Sequence, residues 1–283
     1  MADRAEPGTR IRGSRGKRRI VSGSRFAMML IVAIVMLYPF VYMINASFRT
    51  QAQFEQGAGR STQSWHDLLK AMPVVRQLLN STIVCFMAIA IILVVSTTAG
   101  FAFAKLSYRG SSYIFLGVVA AMMVPLQSII IPEYVNLSKL GLVNHYLGAV
   151  LVYAAIGIPF ATFLMATYYR GISDELIEAA VIDGLGYERT FLRIALPLSL
   201  PAIATVAVLQ FVQIWDDLLV GLLFLQTPQQ RTITVGLAAI SAGRTTSIPA
   251  LMAGSLVSAI PAIIVYLIFQ RYLVKGLTLG MGK

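Results

Sequence analysis

The chain has 283 residues, of which 57% are hydrophobic and only 12% charged, and it carries a formal net charge of +11. Soluble globular chains carry about twice that share of charge, so the composition excludes an ordinary water-soluble domain and describes a protein built for lipid. A basic surplus of this size suggests nucleic acid in a soluble protein; here Lys and Arg flank apolar stretches, and that placement reads as membrane orientation.

Residues 1–25 form a basic tail, Arg4 to Arg25, whose Gly, Ser and Arg content predicts disorder. A helix crossing the hydrocarbon core needs roughly 20 mostly apolar residues. Six stretches qualify: 26–46, 82–104, 113–131, 147–168, 198–225 and 250–272. The first is too long for a signal-peptide core and has no small-residue cleavage pattern after it, so it is expected to stay attached. The second holds Cys85, the single cysteine, so no intrachain disulfide can form. Backbone groups in lipid must pair within each segment, which predicts an all-α membrane protein with six transmembrane helices. No segment alternates with period two as a membrane barrel would. Pro39, Pro125, Pro159, Pro201 and Pro261 fall within the spans and are each expected to kink or loosen a helix. With both termini inside, 16 of the 23 Lys and Arg residues lie on the inner side, which predicts cytoplasmic termini. The organisation is then a tail (1–25), a transmembrane domain (26–272) and a short cytoplasmic tail (273–283).

Between the fourth and fifth spans, residues 171–197 are neither a span nor a short turn. Ser173 is a good N-cap for a helix opening on Asp174 and Glu175, whose charges suit the positive end of the dipole. That helix is expected to end near Asp183, with Gly184 and Gly186 turning the chain. A second helix is expected from Tyr187 to about Leu196, before Pro197. Leu176, Ile177, Ala180 and Val181 form an apolar strip on the first helix, with small Ala179 beside it. Such a strip must pack on its own bundle or dock into a partner.

Glu178-Ala179-Ala180, then Gly184, then Ile194-x-Leu196-Pro197 resembles the EAA signature of ATP-binding-cassette importer permeases, in the cytoplasmic loop before the penultimate span. Asn80-Ser81 before the second span is similar to the pair that opens the core in that family. Leu140-Gly141-Leu142 after Pro132 and Tyr134, Trp215-Asp216-Asp217, and the run from Gln270 to Thr278 resemble the carbohydrate subfamily, in particular the second permease of maltose-type importers. The final Leu279-Gly280-Met281-Gly282-Lys283 departs from that pattern. The resemblance implies a type I importer permease fold and an ATPase-coupling role for Glu178, Ala179, Ala180, Gly184, Ile194, Leu196 and Pro197. It also implies a second, related permease, two ATPase subunits that bind ATP and magnesium, an extracytoplasmic solute-binding protein, a carbohydrate substrate and the inner membrane of a prokaryote. The outer loop 226–249 would reach the binding protein's sugar cleft, with Gly236, Ser241 and Gly243 making it flexible. A polyol, a glycerophosphate-like solute or an amino acid is the alternative cargo.

No G-x-x-x-x-G-K-[ST] phosphate loop occurs; Gly276 to Lys283 has the wrong spacing and no hydroxyl after the lysine. ATP hydrolysis and any cofactor are therefore expected on partner subunits. His66 and His145 fall in separate outer loops without a ligand cluster, and no serine sits in a G-x-S-x-G elbow. A membrane-embedded enzyme would need convergent His, Asp or Glu residues in the spans, and these are lacking. An ion-coupled secondary transporter would often show inverted repeats or matched helix breaks, and none is found. Gln210, Gln213 and Asp217 sit at i, i+3 and i+7 of the fifth span, with Asp216 adjacent, and so share one predicted helix face. They read either as a polar strip lining a translocation path or as a structural group near the outer interface.

Overall fold

The computed structural model describes the backbone of residues 14–243 and 247–279 and the side chains of 25–243 and 247–272. In chain order the helices are α1 (Ser14–Ser47), α2 (Gln51–Gln56), α3 (Gln63–Ala71), α4 (Val74–Lys105), α5 (Ser111–Ala121), α6 (Leu126–Lys139) and α7 (Tyr146–Arg170). There follow α8 (Asp174–Ile182), α9 (Gly186–Thr190), a π-turn (Phe191–Ala195), α10 (Leu196–Leu198), α11 (Leu200–Asp216), α12 (Leu219–Phe224), α13 (Ile233–Ser241) and α14 (Ile248–Leu279). Among the described residues there is no strand. Among the described residues, four helices are long and apolar enough to cross a membrane alone, and six spans result if each of two bent pairs counts as one.

The core is the seam between α4 and α7, completed by α11. Val84, Cys85, Ala88 and Ile92 of α4 and Ala149, Ala154, Ala161 and Met165 of α7 are buried. Small residues allow this closeness, since helix backbones in lipid approach where side chains are short. A Cβ added to Gly100 would lie 2.8 Å from Met165 Cβ and 2.9 Å from Ala166 N. In contrast α1 lies at the edge and packs mainly on α14. Its large apolar residues, Met28, Ile31, Val35 and Tyr38 among them, are exposed on the isolated chain.

Three expectations change. The third span is not one helix: α5 and α6 meet at 94° across 122–125. Pro125 has no N–H to continue a helix and pushes Val124 out of the helical region, so the apolar run turns instead of kinking. The fifth span is also divided, because α11 ends at Asp216 and α12 restarts at Leu219. At its N-terminal end α11 meets the preceding segment at 71°, with Pro201 at the start of α11, where a missing N–H is harmless. Pro39, Pro159 and Pro261 lie inside helices as read from the sequence. Finally, α1 begins at Ser14, within the tail expected to be disordered; Lys and Arg are good helix formers, and the apolar span gives them a nucleus to extend. Residues 1–13 and the divergent end 280–283 lie outside the described residues.

Candidate coupling loop and solute-facing sites

The loop between α7 and α11 is built on aromatic and polar braces. Phe101 of α4 packs against Tyr169 of α7 at 5.7 Å and against Phe191 at 5.2 Å between ring centroids. Tyr169 Oη and Ser199 Oγ are hydrogen-bonded at 3.1 Å, and Tyr168 Oη donates to the Leu198 carbonyl at 2.8 Å. Ser173 occupies the N-cap position of α8, but its hydroxyl makes no cap bond. The entry to α8 is held from the end of α4, where the Lys105 ammonium donates to the Ile172 carbonyl and to Asp174 Oδ1. Only 2% of the Lys105 side chain is exposed, against 77% of Asp174.

On α8 the apolar strip divides between two faces. Ile177 and Ala180 are buried against the chain itself, whereas Leu176, Ala179 and Glu178 are exposed and Ile182 is 84% exposed. Ala180 is therefore a packing residue, and a large side chain there would disturb the bundle before it met a partner. The helix closes through Gly184, at φ +87°, with the Gly184 N–H donating to Val181 O and the Leu185 N–H to Ala180 O. Nothing lies within 4 Å of a Cβ placed on Gly184, so glycine is needed there for its backbone and not for space. The expected second helix is interrupted: within the π-turn the Leu196 N–H reaches back to Phe191 O. Pro197 next in line cannot donate, and the wider turn redistributes carbonyls that a regular helix would leave unpaired. Ile194 and Leu196 are half-buried and Pro197 is exposed.

At the opposite end of the bundle, Asn80 is the anchor of the loop 226–249. Its Nδ2 donates to the carbonyls of Gln229 and Arg231, both at 2.9 Å, and its Oδ1 accepts from Tyr146 Oη at 2.7 Å. Arg76 Nε also donates to Gln229 O at 2.9 Å, and Ser81 Oγ accepts from the Ile233 N–H at 2.9 Å. Asn144 accepts from the N–H groups of Gln226 and Thr227. The loop is thus more ordered than its glycines suggested. It contains α13, and Gly236 is buried where Gln77 packs so closely that a Cβ would collide with its amide. Beneath it lies a cavity of about 480 Å³ lined in part by Asp67, Gln77 and Arg231.

The four polar residues of the fifth span do not form one strip. Gln210 is 2% exposed and packs against Gly157; among the described residues its Nε2 has no hydrogen-bond partner. Gln213 and Asp216 are exposed on α11. Asp217 lies beyond the helix in extended conformation (φ −68°, ψ 132°). Its Oδ1 accepts from Tyr153 Oη at 2.9 Å and from the Val220 N–H at 2.8 Å, which caps α12. Trp215 beside it stacks on Phe211 and donates to the Ser258 carbonyl at 3.0 Å. Tyr153 was not singled out in the sequence, because an isolated Tyr in an apolar span carries no local signal.

These bonds give a specific expectation for Asp217→Ala. Losing a helix cap and a side-chain bond removes about 1 kcal/mol each, which lowers the melting temperature in detergent by roughly 5 °C. Tyr153→Phe removes one bond and lowers it by less. Uptake lost with an unchanged melting temperature would instead assign Asp217 to the solute.

Residues 71–279 match the family described as binding-protein-dependent transport system inner membrane component. The chain is similar to the osmoprotective compounds uptake permease protein GgtD of Synechocystis, at 32% identity over 90% of each chain. It is 31% identical to the trehalose/maltose transport system permease protein MalG of Thermococcus litoralis, over 90% of this chain and 94% of that one. The arabinooligosaccharides transport system permease protein AraQ of Halalkalibacterium halodurans is 33% identical over 72% of each. Among solved structures, a chain of a bacterial ABC transporter involved in the import of the acidic polysaccharide alginate superposes with a TM-score of 0.77. It is 23% identical, over 92% of this chain and 98% of that one, a likeness of fold.

Proposed function

This chain belongs to the family of inner-membrane components of binding-protein-dependent transport systems, and from that premise we propose that it moves a carbohydrate or closely related polyhydroxylated solute into the cytoplasm. It is a multi-pass membrane permease. The cargo is supported by relatives whose names specify trehalose, maltose and arabinooligosaccharides. The observation that carries the mechanism is the two-faced α8, with Ile177 and Ala180 held by the bundle and Ala179 and Ile182 turned outward. A soluble motor moves membrane helices only through a rigid element held on one side and docked on the other. Ala179, Glu178 and Ile182 are the docking side; Gly184, Ile194, Leu196 and Pro197 set the angle at which the projection joins α11.

In this reading two ATPase subunits bind and hydrolyse ATP with its magnesium, a related permease completes the pore, and an extracytoplasmic binding protein delivers the solute to the outer loop anchored by Asn80. Lys and Arg placement supports cytoplasmic termini. Deleting the gene and measuring uptake tests the cargo: uptake of a sugar or polyol should be lost. Loss of amino-acid uptake with sugar uptake intact would overturn it. Purification from native membranes should recover two ATPase subunits and a second permease, and a lone homodimer would contradict the assembly.

A further inference from the structure

Among the four long helices, α1, α7 and α14 each contain an internal proline, at 39, 159 and 261, and α4 contains none. Proline is the commonest origin of a sharp kink, so α4 is the helix best able to carry a displacement along its length. Its 32 residues span roughly 48 Å at 1.5 Å per residue, against about 30 Å of hydrocarbon. Both ends therefore stand clear of the lipid core, and both are tied to a functional loop. At the inner end the buried Lys105 ammonium holds the Ile172 carbonyl and Asp174, the entry to α8. At the outer end Arg76, Asn80 and Ser81 hold the backbone of Gln229, Arg231 and Ile233.

We propose that α4 is a strut joining the ATPase-facing helix directly to the outer loop, with Lys105 and Asn80 as the positioning residues at its two joints. This rests on the coupling role given to α8 above. One alternative route from α8 to the outer loop runs through α11, and it is bent by 71° at its inner end and broken at Asp217; the other runs through α7, which carries Pro159 and whose leading Asn144 holds Gln226 and Thr227. A tilt of α8 reaches residues 229–233 through one unbroken helix instead, with α7 packed alongside and moving with it.

The test uses the complete complex, with partner permease, ATPase subunits and binding protein, in phosphatidylethanolamine–phosphatidylglycerol vesicles. Spin labels on Gln229→Cys and Lys139→Cys report the position of the outer loop, without nucleotide and after trapping with ATP, magnesium and vanadate. A parallel sample with Ala179→Cys is crosslinked to the ATPase. The expected result is a change in label separation on trapping that Lys105→Met and Asn80→Leu both abolish and Lys105→Arg preserves. The Ala179 crosslink forms in all of them. If Lys105→Met crosslinks normally and its label separation still shifts as in the parent, the strut is overturned and the coupling role of α8 stands. No shift in the parent complex would likewise overturn it. If Ala179 fails to crosslink in the parent, the coupling reading falls, and the strut with it.

Discussion

Ala179→Arg and Ile182→Asp should each cut ATP-dependent uptake about tenfold or more while the permease still accumulates in the membrane, folded. An interface loses a factor of ten in occupancy for each ~1.4 kcal/mol, and an unpaired charge forced into a close-packed contact costs more than that. Ala179 is exposed, with its methyl leaving room for a groove to close over α8, and Ile182 presents an apolar side chain with almost nothing of its own chain around it. Neither change disturbs the bundle. Ala180→Arg differs: with 6% exposure it displaces the packing beneath α8, so both permease abundance and uptake should fall. Gly184→Val isolates the turn, because it meets no steric obstacle and still strains a left-handed residue by roughly 1–2 kcal/mol. Uptake and co-purified ATPase are the paired measurements. Full uptake by both Ala179→Arg and Ile182→Asp would remove α8 as the docking element.

Gly100→Leu should prevent the permease from accumulating at all. The atoms in the way are Met165 Cβ and the Ala166 backbone nitrogen, neither of which can swing aside as the end of a long side chain can. Relief requires α4 and α7 to separate. Overpacking a well-filled core costs about 1–3 kcal/mol where neighbours can adjust, and here the neighbour is backbone. Gly100→Ala meets the same atoms with a smaller group and should give an intermediate level. Gly117→Leu on α5, with open space around it, is the control and should accumulate normally. Quantifying the protein in membranes and its elution after detergent extraction decides the matter: a Gly100→Leu variant as abundant and monodisperse as the parent would mean the two helices do not rely on this approach.

The spans and the loop between α7 and α11 were legible because they depend on local signals, length of apolar run and a spaced string of residues. The breaks were not. Residues 113–131 are apolar on both sides of Pro125, since each half faces lipid or bundle, and the run hides a turn that a soluble chain would have marked with polar residues. Asp217 was assigned to a helix face by a period that assumes the helix continues, whereas its own carboxylate helps to end one helix and begin the next. Ala179 and Ala180 are chemically alike, and only the packing of α8 on the bundle decides which is buried. The remaining site residues act through distant partners. Lys105 meets Asp174 across 69 positions and Asn80 meets Arg231 across 151, and no local pattern in either segment announces the other.

Cys85 makes the molecule unusually convenient to interrogate. It is the chain's single cysteine and sits in the α4–α7 core at 1% exposure, where an apolar surrounding leaves a thiol inert. A maleimide or methanethiosulfonate reagent applied to the folded permease should therefore find nothing to modify. Every cysteine introduced at the surface becomes a unique attachment point in an otherwise unaltered sequence, without first stripping native thiols from the core and weakening it.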